Sequence, residues 1–328
     1  MKPRRITLAL GGGGARGVAH LGAIDALLAA GLEIERLVGV SSGSLVAAMF
    51  AFEPDIEKVL EQVGNFLHSP EFARHQSLLL RVHPAPNVQG DHGMLSSYHR
   101  VADFLRANRM LYRAVHQSSL IPGLLLEEVV NHLLPDADLA DASIPLSIVA
   151  VDLHTGRPVV FEKGSVRLAV KASAAVPGVF PPIEFENQLL CDIGGFCALP
   201  LGIARAYHPE CLIAVDVGSN LKPLVQSPTA LEVMMRMNDI GSAMFREQLR
   251  TQADLTIVPD VADVPWFDFS TSANMIDAGR DAATAALAKL PPQRSWFQRL
   301  VTGAISRLIN LNRQENRHLP RTAAAFHL

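Results

Sequence analysis

The chain has 328 residues, of which 49 % are hydrophobic, and this is enough for one large core, alone or with appendages. Its formal net charge of −3 gives no global basic field, so nucleic acid is not an expected partner. Its three cysteines, Cys191, Cys197 and Cys211, lack metal-site spacing and are expected to be free thiols. No stretch reads as a secretory signal or approaches the ~20 apolar residues that cross a bilayer, so we expect a cytoplasmic protein.

The first fifty residues predict two strand–turn–helix units. A strand over Ile6–Leu10 leads through a glycine run into a helix over Val18–Leu27. A second strand, Arg36–Val40, leads into a helix over Leu45–Phe50. This alternation is typical of an α/β fold with a mainly parallel sheet covered by helices.

The turn between the second strand and its helix contains Ser41 within Gly39-Val-Ser-Ser-Gly43. A serine at a sharp strand-to-helix turn is typical of a nucleophile elbow, in which Gly39 and Gly43 nearly touch and must be small. The following helix N-terminus favours developing negative charge. The pentapeptide alone also occurs in ordinary turns, but the glycine run of the first unit supplies the second cluster of amide donors that acyl transfer needs.

The rest of the chain alternates helices and strands after one irregular region. Residues 68–122 are irregular and contain histidines without metal-ligand spacing, which are expected in surface or packing roles. The apolar residues from Phe104 to Leu126, which include Leu124 and Leu125, fit either a lid or acyl-chain groove or a plain helical core. The predicted helices cover 56–66, 166–175, 229–250 and 274–290, and the predicted strands cover 145–151, 158–161, 188–191, 212–217 and 255–259.

The last 38 residues differ in composition, and Pro291-Pro292 marks a boundary between a domain over 1–290 and a tail over 291–328. Arginines greatly outnumber acids here, and apolar residues recur with a helical period. Two interpretations stay open. The tail is either a helix packed on the main domain with a disordered end, or an amphipathic helix over 293–313 that lies on the inner membrane surface.

Asp192 is the candidate base for Ser41, because it follows a predicted strand and precedes small residues that permit close approach. On residue type alone, an Asp that caps a turn is the favoured interpretation. Three segments in this order, Gly12-Gly-Gly-Ala-Arg-Gly17, Gly39-Val-Ser-Ser-Gly43 and Asp192-Ile-Gly194, resemble the signatures of patatin-like phospholipases, closest to the bacterial and neuropathy-target-esterase branch. The resemblance covers about residues 6–200.

The resemblance implies a three-layer α/β/α fold and a serine lipid acyl hydrolase that needs no cofactor or metal. It implies a dyad in which Ser41 attacks an acyl ester and Asp192 is the base. The amides of Gly12, Gly13 and Gly14 would bind the oxyanion, with Arg16 and Gly17 in the same loop. A base without histidine requires an Asp whose pKa is raised by partial desolvation. The sequence does not indicate an oligomeric state.

One departure from the family pattern opens an alternative. Ile193 occupies a position that is usually Gly, and a left-handed backbone there would cost a branched residue about 1–3 kcal/mol. In this alternative, the chain is a catalytically impaired regulator that binds a membrane or a partner. A further alternative is a dinucleotide-binding domain, because Gly12-x-Gly14-x-x-Gly17 follows a strand and Glu33 or Glu35 lies about 20 residues on.

Overall fold

The computed structural model describes residues 4–74, 76, 119, 121–195, 197–221 and 230–290. Most of the predicted lid region and the whole predicted tail lie outside these residues. The described strands are β1 (Arg4–Leu10), β2 (Leu32–Val40), β3 (Leu146–Asp152), β4 (Arg157–Phe161), β5 (Ile183–Phe185), β6 (Gln188–Cys191), β7 (Leu212–Val215) and β8 (Leu255–Ile257).

The described helices include two 3-10 segments, Gly14–Val18 and Leu139–Asp141. The α-helices are α1 (Ala19–Ala29), α2 (Ser42–Phe52), α3 (Ile56–Leu67), α4 (Gly123–Leu133), α5 (Val166–Ala174), α6 (Leu201–Ala206), α7 (Ala230–Arg250) and α8 (Ser272–Leu287). The six-residue helix α6 was not predicted, because it is too short to show a helical period.

The described strands form one sheet in the order β5-β6-β3-β2-β1-β7-β8, with β4 paired to the other edge of β3. The five strands β1, β2, β3, β7 and β8 pair in parallel, whereas β4, β5 and β6 pair antiparallel to their neighbours. The prediction of a mainly parallel central sheet is therefore confirmed. The carboxyl ends of β1, β2 and β7 lie at the same end of the sheet, which is where ligands bind in such sheets.

Both faces of the sheet are covered, which makes three layers. Leu8 and Leu10 of β1 point into the larger core, which α1, α2, α3 and α8 complete. Ala9 points to the opposite face, where residues of α6 and α7 cover it. Because both faces are covered, the successive residues Leu8 to Leu10 are all apolar although they point to alternate faces.

Two strands share one edge of β3 and approach each other head to head. On this edge β2 ends with Val40 opposite Val149, and β6 ends with Cys191 opposite Val151. The other edge of β3 is occupied by β4 over the same residues. The residues that follow β2 and β6 therefore both arrive beside Ala150, and they are Ser41 and Asp192.

Candidate active site

Ser41 occupies the turn between β2 and α2 in a conformation that non-glycine residues rarely adopt, with φ 54° and ψ −128°. Its N–H donates to the Ser173 hydroxyl at 2.9 Å, and that hydroxyl donates to the Val149 carbonyl at 2.6 Å. Because Ser173 is itself buried in α5, this pair of hydrogen bonds ties the strained turn to the middle of the sheet.

Both elbow glycines are required by close backbone contacts. A Cβ on Gly39 would lie 2.6 Å from the Cα of Ser44, in the first turn of α2. A Cβ on Gly43 would collide with the carbonyl oxygen of Leu10 at the end of β1. The elbow predicted from the pentapeptide is thus present, and α2 directs its N-terminus toward the end of the neighbouring strand.

Asp192 lies beside Ser41, is 5 % exposed, and its N–H donates to the Ala175 carbonyl at 3.0 Å. Burial raises the pKa of the Asp192 carboxyl to about 6, although hydrogen bonds from the Ser41 hydroxyl and from Gly194 N–H work in the opposite direction. The Gly194 bond is 2.6 Å long. A desolvated carboxylate that contacts a serine hydroxyl has the chemistry of a general base near neutral pH.

The glycine loop lies against both residues of this pair. A Cβ on Gly12 would be 3.1 Å from the Cβ of Ser41 and 3.8 Å from the Cα of Gly194. However, Gly12 N–H already donates to Ala198 O at 2.9 Å, and Gly13 N–H donates to the Ser42 hydroxyl at 3.1 Å. These two amides therefore have protein acceptors in this structure.

The amide of Gly14 has no acceptor among the described residues, and the same is true of Ser42 and Gly43 at the start of α2. The first amides of a helix have no partner within it. Gly14 also has φ +61°, and a Cβ there would collide with Trp266 O. The loop is thus fixed in a shape that only glycine allows, with Gly14 N–H left free for a ligand.

Arg16 and Gly17 hold the glycine loop rather than reach the serine. Arg16 is 8 % exposed, and its guanidinium donates to Val217 O and Val264 O, both at 2.9 Å. A Cβ on Gly17 would collide with the Ser42 side chain. Burial, then the nearby charge of Arg246, lowers the pKa of Arg16 to about 10.

Ile193 does not adopt a left-handed backbone, since the described non-glycine residues with positive φ are Ser41, Glu186 and His208. Its side chain is 5 % exposed and belongs to the core cluster that includes Val38 and Leu199. The cost expected for a branched residue at this position is therefore absent. The physical reason for suspecting an impaired dyad loop is removed.

An apolar cavity of about 170 Å³ opens beside the candidate dyad. Apart from Ser41 and Ser42 its lining consists of glycines and apolar side chains, mainly from α2, α3, α4 and α5 and from the loop at Trp266. Leu125 and Leu126 line it, whereas Leu124 is 67 % exposed. Because Leu125 and Leu126 belong to the core and also line a cavity, the groove and the core interpretations both stay open for this part of the apolar region.

Three functional positions were missed by the sequence analysis. Ser173 and Ala175 anchor Ser41 and Asp192, and they lie in Ala172-Ser-Ala-Ala-Val-Pro-Gly178, a segment that also resembles the family. His20 is fully buried behind the glycine loop, where its Nε2–H donates to Gly11 O at 2.8 Å and its Nδ1 has no partner among the described residues. A histidine between the apolar residues Ala19 and Leu21 was the available signal for His20.

The dinucleotide alternative fails on geometry. Glu33 and Glu35 lie in the first half of β2, and Arg5 at the start of β1 pairs with Glu33 in register and forms an ion pair with Glu35 at 3.4 Å. Both acids are therefore at the end of the sheet opposite the glycine loop, too far away to bind a ribose there.

The described residues contain no cluster of metal-ligating side chains and no helix that could span a membrane.

The comparisons with known proteins point to one family. A patatin-like phospholipase family model matches residues 8–205. An uncharacterised NTE family protein of Mycobacterium tuberculosis is 27 % identical over 314 residues, which cover 88 % of this chain and 47 % of that protein. The mouse patatin-like phospholipase domain-containing protein 6 is 27 % identical over 261 residues, 79 % of this chain and 16 % of that one.

The chain spans about half the length of the first mycobacterial relatives, 47 %. Among solved structures, VipD from Legionella pneumophila matches at 14 % identity with a TM-score of 0.41, covering 88 % of this chain and 67 % of that one. ExoU in its Pseudomonas aeruginosa complex with SpcU matches at 18 % identity with a TM-score of 0.36, covering 88 % and 52 %. Ser41, Gly14 and Asp192 all fall inside the region that the family model matches. Because that region is more than half of the chain, this chain belongs to the patatin-like phospholipase family.

Proposed function

We propose that the chain is a serine lipid acyl hydrolase, an esterase of the phospholipase A or lysophospholipase type. The observation that carries this proposal is the contact of a strained elbow serine, Ser41, with the buried carboxylate of Asp192. The family membership supports the same chemistry.

In the proposed reaction the Ser41 oxygen attacks the acyl carbonyl while its proton moves to the Asp192 carboxylate. The resulting oxyanion accepts hydrogen bonds from Gly14 N–H and from the first amides of α2. Asp192 then returns the proton to the departing alcohol, which leaves an acyl ester on Ser41. In the second half, Asp192 removes a proton from water, and the water oxygen attacks the acyl carbon of this ester. The bond between the acyl carbon and Ser41 Oγ breaks, Asp192 returns the proton to Oγ, and the fatty acid is released.

The acyl chain occupies the apolar cavity in this proposal. Its lining offers no charge and only the two hydroxyls next to the elbow, so a hydrocarbon chain gains by leaving water there. The alcohol part of the substrate must then lie on the other side of Ser41. Contact of the tail over 293–313 with an anionic membrane would bring such substrates to the site, and this too is a proposal.

A fluorophosphonate probe tests the nucleophile. The full chain should be labelled, Ser41→Ala should not, and Ser165→Ala should be labelled like the wild type, because Ser165 only caps the N-terminus of α5. Asp192→Asn should fold and lose about 10²–10⁴-fold in kcat for a short-chain ester, the usual loss when a general base is removed. Equal labelling of the wild type and Ser41→Ala would refute the proposal.

A further inference from the structure

A second cavity, of about 280 Å³, shares Trp266 with the apolar cavity as a lining residue. We call it the arginine pocket, because its lining includes Arg16, Arg236 and Arg246 against the single acid Asp239. The lining also includes polar residues with hydroxyl and amide groups, at Ser219, Asn220 and Ser242, and several apolar residues. The two cavities share Trp266, and the glycine loop reaches both, with Gly14 in the first and Arg16 in the second.

The three arginines differ in how many of their guanidinium donors already have a hydrogen-bond or ion-pair partner. Both hydrogen bonds of Arg16 go to backbone carbonyls, which give no charge compensation. Arg246 forms an ion pair with the buried Asp216 at 3.4 Å through Nε and donates to Ser219 O through Nη2, so that Nη1 makes no hydrogen bond to the described residues. Arg236 forms no hydrogen bond or ion pair with the described residues.

The one buried acid nearby is shared. Asp216 also accepts two contacts from Arg250, so its single negative charge faces Arg246 and Arg250 together. Burial and then repulsion by the charge of Arg246 lower the pKa of Arg16, and the charge of Asp216 opposes them. An anion in the pocket would relieve this repulsion, and a guanidinium fork matches the oxygens of a phosphate.

We propose that the arginine pocket binds a phosphate group, with Arg236 and Nη1 of Arg246 as its charged donors. Two sources share this chemistry, the phosphate of a lipid headgroup and a free phosphate compound. For the headgroup source, the inference rests on the proposed function. The acyl chain then lies in the apolar cavity that Ser41 lines, and the phosphate lies in the arginine pocket, which shares Trp266 with that cavity. The substrate class is then a glycerophospholipid or lysophospholipid rather than a neutral ester.

Titration calorimetry on the full chain tests binding without catalysis. The probes are sn-glycerol 3-phosphate and inorganic phosphate. The wild type should bind, and Arg236→Gln should lose about tenfold in affinity, the usual scale for one hydrogen bond to a charged group. Arg236→Lys keeps the charge and should recover part of the loss. Arg5→Gln, which removes the same charge at the opposite end of the sheet, should bind like the wild type.

Kinetics distinguish the two sources. If the phosphate belongs to the substrate, Arg236→Gln should raise KM for lysophosphatidic acid about tenfold and leave hydrolysis of a monoacylglycerol with the same acyl chain unchanged. Phosphate binding that Arg236→Gln weakens, with no change in this selectivity, would support the pocket and assign it to a free phosphate compound. A wild type that binds phosphate but hydrolyses neither ester would support the same source while refuting the proposed function.

The inference is overturned if neither probe binds the wild type and Arg236→Gln keeps the wild-type ratio of the two ester activities. It is also overturned if Arg5→Gln weakens binding as much as Arg236→Gln does, because the effect would then come from overall charge. The circular dichroism spectrum of each variant checks that it is folded.

Discussion

Val40 and Cys191 end two strands that meet head to head on one edge of β3, opposite Val149 and Val151. The next residue of each strand is a member of the candidate dyad, and the two arrive beside Ala150 from opposite directions. Ser41 and Asp192, which are some 150 positions apart in the chain, are thus brought together by the register of the strands that precede them. Four predictions test what this arrangement does.

The pH dependence of activity should follow Asp192. Its pKa is raised by burial to about 6, and the base must be ionised, so kcat/KM for a short-chain ester should fall as the pH is lowered through about 6. Activity that is flat between pH 5 and pH 8 would contradict a role for this carboxylate.

The same carboxylate should make the protein less stable at neutral pH. With a pKa of 3.8 unfolded and about 6 folded, the folded state binds more protons between these values, so stability falls as the pH rises through this window. The loss is on the order of 3 kcal/mol and is complete above pH 6. Asp192→Asn, which cannot ionise, should therefore gain stability relative to the wild type between pH 4 and pH 7 in urea unfolding.

Unlike Asp192, His20 should lower the stability of the folded protein as the pH falls. Burial lowers its pKa from 6.5 to about 4, so below pH 6.5 the unfolded state binds the proton first and stability is lost as the pH falls. The loss is on the order of 3 kcal/mol by pH 4. His20→Gln keeps a donor for Gly11 O and does not titrate, so its unfolding midpoint should be less sensitive to acid. An identical acid dependence in both proteins would assign the sensitivity to other groups.

Ser173 should be a positioning residue. Ser173→Ala leaves the buried N–H of Ser41 without its acceptor, which costs about 1–3 kcal/mol, and it frees the elbow from Val149. We expect kcat and the rate of fluorophosphonate labelling to fall more than tenfold while KM changes little. The matched control is Ser165→Ala in the same helix, which loses an N-cap worth about 1 kcal/mol and should keep its labelling rate. Equal effects of the two variants would reduce Ser173 to a purely structural role.

Much of the site is visible in the sequence because its constraints are local. Gly39 and Gly43 flank a serine whose turn demands small neighbours, and the strand and helix on each side show their periods clearly. The glycine run predicts a tight loop for the same reason. The three motifs together were specific enough to predict the family, and the family model confirms it.

The sequence could not show which amides are free. In the sequence, Gly12, Gly13 and Gly14 cannot be told apart. In the structure, the N–H of Gly12 donates to Ala198, which lies far along the chain, and the N–H of Gly13 donates to Ser42, which lies in the second strand–turn–helix unit. Nor could it show that Ile193 is unstrained, since this depends on a backbone angle set by the packing of its side chain.

The amino-acid sequence by itself determined the elbow, the glycine loop and the alternation of strands and helices, because each depends on the conformations open to a few adjacent residues. Tertiary structure decided the partner of Ser41, the raised pKa of Asp192, the anchoring by Ser173 and the arginine pocket. Each of these depends on burial or on contacts between distant segments, and those exist only once the strands have paired in register.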